Sequence, residues 1–82
     1  MMIPTVHLNG TSQQALVDGY LDALSGVRAA IEYLQQSAPN ARDYYVQGPD
    51  AFGAARREHE ARMHKLADVA HELNAILEGL VL

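Results

Sequence analysis

This 82-residue chain predicts an all-α fold: a long antiparallel helical hairpin behind a short extended N-terminal arm. Two long stretches carry apolar residues at alternating four- and three-residue spacing, the mark of amphipathic helices. Pro39 and Pro49 bracket the one long break between them. The apolar stripes are wider than two helices can cover on each other, which predicts assembly into a homo-oligomeric helical bundle. The expected layout is a single domain, 1–82, with an arm over 1–10, a helix over 11–37, a loop over 38–48 and a helix over 49–80.

The arm reads IPTVHL over residues 3–8. Val6 and Leu8 alternate with Thr5 and His7, which fits a short extended segment. Too short to form a sheet alone, it is expected to pack on the helices or pair with another chain's arm. Asn9-Gly10 turns the chain.

Thr11-Ser12-Gln13-Gln14 fits a capping box, with the Thr11 hydroxyl accepting from the Gln14 N–H. The first helix then repeats Leu16, Tyr20, Ala23, Val27, Ala30 and Leu34. A second row beside it holds Val17, Leu21, Leu24 and Ile31. Gly19 and Gly26 each weaken a helix by about 1 kcal/mol relative to Ala, and they permit close approach of a neighbouring helix. Pro39 stops the helix, because a residue before proline avoids helical dihedrals. Pro49 suits a first helical position behind a Gly48 cap, and Asp50 complements the helix dipole. The second helix repeats His59, Met63, Leu66, Ala70, Leu73, Leu77 and Leu80. Glu58 and Arg62 form a favourable pair four residues apart.

Composition narrows the function. There is no cysteine, so disulfides and cysteine zinc sites are excluded. A short chain without such staples gains stability by self-association. The formal net charge of −4 argues against a nucleic-acid polymer as partner. No apolar run approaches the ~20 residues of a membrane span, and the start lacks the features of a signal peptide. No cofactor fingerprint, phosphate loop or nucleophile elbow occurs, and no serine has an adjacent histidine, so catalysis is not expected. Glu60, His64, Asp68 and His71 share one helix face at metal-ligand spacing, but a solvated stripe explains them and no metal site is assigned.

The residues that architecture does not require lie at the loop end: Arg42, Tyr44, Tyr45 and Gln47, with Arg56, Arg57 and His59 on the following helix. Tyrosine faces stack on bases and arginine binds phosphate through two donors. This set suits a nucleotide-like anionic ligand, with parts shared between subunits. A structural alternative stands beside it: the tyrosines cap the core, and Arg42 pairs with Asp43 or Asp50. His59 interrupts an apolar seam, so it either fixes register by a hydrogen bond across the bundle or lines a ligand cavity.

The stretches IPTVHLNGTS, APNARDYYVQGPDAF and REHEAR resemble a group of small helical proteins encoded by tailed phages and prophages, over nearly the full length. The resemblance carries over no individual site residue. It implies an accessory protein in the host cell cytoplasm that counters host defence, by binding a defence protein or by sequestering a nucleotide signal. The motifs of the helical cyclic-dinucleotide sponges are not found here. The leading expectation is thus a self-assembling, non-enzymatic protein that binds a nucleotide-like ligand at its loop end. There Tyr44 and Tyr45 stack, Arg42 and Arg57 meet phosphate, and Gln47 and His59 add hydrogen bonds. The alternatives are a module that inhibits a host protein and a phage structural or assembly protein.

Overall fold

A computed structural model describes all 82 residues. The chain is all-helical: α1 runs over Gln13–Gln36 and α2 over Ala51–Val81, packed on each other as a hairpin, with no strand. Two short 3₁₀ turns, Ala41–Asp43 and Tyr45–Gln47, fill most of the connection.

The cap of α1 falls one residue later than the capping box predicts. Ser12, at φ −63° and ψ 152°, is the N-cap, and its Oγ accepts from the Ala15 N–H at 3.1 Å. Gln14 does not reach back; its side-chain amide donates to Asp18 Oδ1 at 2.8 Å. Thr11 and Ser12 carry the same chemistry, and extended dihedrals at Ser12 decide between them. At its other end α1 is closed by Ser37, whose Oγ donates to the Tyr33 carbonyl at 2.9 Å. Pro39 follows two residues on.

α2 also starts later than expected. Asp50 is its N-cap and makes no side-chain capping bond. Gly48 sits at φ 121°, a backbone conformation open to glycine, so it serves the turn before the helix rather than the cap. Pro49 lies outside the helix.

The open ends of the hairpin are flush. Gln13 Nε2 donates to the Leu80 carbonyl at 2.6 Å, satisfying one of the orphan acceptors at the end of α2. Farther along, Ile31 and Gln35 line one groove with Met63 and Ala67, which carries the same antiparallel register up the hairpin. With 24 residues against 31, α2 is longer by about 10 Å at 1.5 Å per residue. Because the open ends match, the excess projects at the loop end, where the second 3₁₀ turn packs against it.

The arm forms no strand, since no second segment offers a ladder. Val6 and Leu8 stay exposed, and the half-buried Pro4 and the neighbouring Ile3 anchor the arm instead. Ile3 lies against Gly79, where a Cβ would stand 2.6 Å from Ile3 Cδ1. Glycine there makes room for the arm.

Only Leu24, 3% exposed, and Leu80, 5% exposed, are buried. The molecule measures 61 × 20 × 18 Å, with a radius of gyration of 18.3 Å. A compact chain of this length would have about 12 Å. No helix is long and apolar enough to cross a membrane.

Candidate functional site at the loop end

Asn40 organises the start of the loop. Its Oδ1 accepts from the Arg42 backbone N–H at 3.0 Å and from Arg42 Nε at 3.3 Å. Arg42 is therefore folded onto Asn40, not paired with Asp43 or Asp50, and its remaining guanidinium donors face solvent. Asn40 carries a signal in the sequence: an asparagine that caps its own turn two residues on.

Backbone bonds continue through the loop. Asp43 N–H donates to the Asn40 carbonyl at 3.0 Å, Tyr44 N–H to Ala41 at 3.1 Å, and Gln47 N–H to Tyr44 at 2.9 Å. These bonds close the two 3₁₀ turns, while the Tyr45 and Val46 N–H groups make no bond within the chain.

The adjacent tyrosines are split by this geometry. Tyr44 is half-buried, whereas Tyr45 is 74% exposed. Val46, beside it, is 75% exposed, and Tyr33, on the last turns of α1, is 70% exposed. Gln47 is exposed as well. Tyr44 suits the core-capping role and Tyr45 the contact role. Val46 is a candidate that chemistry-led reading of the sequence passes over, since an isolated valine carries no polar motif.

On α2, the Arg56 guanidinium stands 5.8 Å from the Phe52 ring centroid and 3.9 Å from Glu60 Oε1. Both members of that ion pair are well exposed, so it adds little stability. It replaces the expected Glu58–Arg62 pair, which does not form. Arg56, Arg57, Gly53 and Glu60 surround a shallow depression of about 210 Å³. Two cations face one carboxylate there.

His59 does not line this depression. At about 100° per residue it lies roughly 160° around α2 from Arg57 and about 60° from Arg56. It is half-buried in the seam toward α1 and makes no side-chain hydrogen bond within the chain. The fold thus assembles three separate groups: Arg42 on Asn40, Tyr45 to Gln47 on the second 3₁₀ turn, and Arg56 with Arg57 on α2. One chain does not close them around a cavity of the ~300–1,000 Å³ that small ligands occupy.

Elsewhere, Glu60 and His64 border a groove of about 300 Å³ between the helices, lined also by Ile31, Gln35, Met63 and Ala67. Nowhere do three or more His, Asp or Glu side chains gather to hold a metal ion. Comparison with protein-family models, curated proteins and solved structures finds no match to the chain.

Proposed function

We propose that the chain is a non-enzymatic accessory protein of the phage type that works in the host cytoplasm by contacting a host protein through its loop end. The carrying observation is the pair Tyr45 and Val46, three-quarters exposed on a turn that the Gln47 and Gly48 N–H groups close. A turn already formed in the free protein lowers the ordering cost of binding. Tyrosine and arginine are also the residue types that dominate contact energies. Exposed Arg42 and Gln47 supply a polar rim. In this reading the helices are a scaffold, and self-association into a bundle presents several copies of the loop.

The test is capture from a bacterial lysate with the tagged protein and a Tyr45→Ser/Val46→Ser variant. A stoichiometric protein held by the first and lost by the second, with equal melting temperatures, supports the reading. Identical capture by both, or none by either, contradicts it.

The depression at Arg56 and Arg57 favours a second reading, a nucleotide-like anionic ligand. One chain offers a phosphate-sized contact there, so a base would stack on a tyrosine of another subunit. Calorimetry against nucleotides and cyclic nucleotides tests this. Binding that disappears in Arg57→Ala supports it, and absence of heat with all of them rules it out.

A further inference from the structure

The four charged residues of α1, Asp18, Asp22, Arg28 and Glu32, fall within an arc of roughly 120° at 100° per residue. The remaining arc carries no charge. α2 covers only part of it, the side around Leu24 with Val17 and Ile31. The flank beyond holds Leu16, Gly19, Tyr20, Ala23 and Gly26. Ala15, Leu16, Gly19, Tyr20 and Ala23 line an open apolar groove of about 240 Å³. A Cβ added at Gly19 or Gly26 would meet nothing within 4 Å, so α2 does not use the close approach these glycines allow.

The exposed area shows how much cover the chain lacks. The chain exposes 6204 Å², whereas a folded monomer of 9.0 kDa exposes about 4,900 Å². The excess of about 1,300 Å² exceeds the ~800 Å² that each partner buries in a standard stable interface.

We propose that the uncharged flank of α1 is the interface with a second copy of this chain, with α1 packed on α1 and Ala23 facing its own copy across a two-fold axis. A two-fold axis places the same patch on both copies, so an uncharged apolar strip is self-complementary. Asp18 and Asp22 stand at one edge of the flank, outside the contact itself. Gly19, Ala23 and Gly26 let the two backbones approach closely, and Leu16 and Tyr20 fill the sides.

This deepens the self-association in the function proposed above, but its test reads mass and cross-linking, so it stands or falls separately from any partner or ligand. The chain has no cysteine, so single-cysteine variants report cleanly. Under mild oxidation Ala23→Cys is expected to form a covalent dimer, while Ser25→Cys is not. Ser25 lies on the charged side of α1. Ala23→Glu, which sets a carboxylate against its own copy, is expected to weaken association by at least ~100-fold in sedimentation equilibrium. Cross-linking of Ser25→Cys as readily as Ala23→Cys would overturn the interface. So would unchanged association of Ala23→Glu.

Discussion

Tyr44 and Tyr45 are identical and adjacent, yet the 3₁₀ turns send one toward the core and the other into solvent. Composition identified both as candidates, but only backbone geometry separates them. The same holds at the start of α1, where Thr11 and Ser12 are both competent caps. Ser12→Ala is expected to cost about 1 kcal/mol. Thr11→Ala should leave stability within ~0.5 kcal/mol, as exposed substitutions usually do. Chemical denaturation of the two variants checks this, and the reverse order would restore Thr11 as the cap. Gly48 is the other residue with a specific backbone duty. At φ 121° and ψ 167°, Gly48→Ala is expected to lose about 1–3 kcal/mol from strain alone. An unchanged melting temperature would mean that the loop relaxes at no cost. Arg42 was less legible. Its tie to Asn40 depends on the turn that Asn40 itself creates, whereas charge alone pointed to Asp43 or Asp50.

At the scale of elements, the two helices and the loop were readable because periodicity and prolines mark them independently of packing. The arm was not, since alternation over six residues means a strand only where a partner strand exists. Which apolar row of α1 faces α2 was also open. The row beginning at Leu16 is the more regular, yet Leu24 of the second row is the buried centre of α1. α2 is charged around most of its circumference, so its apolar arc meets one row of α1 and leaves the other at the edge. Leu24→Ala is therefore expected to destabilise by ~2–5 kcal/mol. Leu21→Ala, at a position 49% exposed, should cost less than ~1 kcal/mol. Equal losses in urea denaturation would place the seam between the rows. At the loop end, sequence proximity had grouped Arg56, Arg57 and His59, but rotation around the helix sends Arg57 about 160° from His59, while Arg56 lies about 60° from it.

The whole molecule is a rod with two buried side chains, and its shape follows from pairing one broad apolar helix with a mostly charged one. Such a hairpin buries about half the surface of its unfolded chain, less than the ~60% of a small compact domain. The width of the stripes led sequence reasoning to expect self-association, but it could not say which flank is left over, because that depends on where α2 settles. The association proposed above would stabilise the folded state by mass action, so stability should depend on concentration. The most direct measurement is thermal unfolding followed by helical circular dichroism over a hundredfold range of chain concentration. A melting temperature that climbs with concentration is the predicted result, with Ala23→Glu melting lower and independently of concentration. A wild-type melting temperature that stays constant across the range, in a chain that sediments as a single copy, would contradict it.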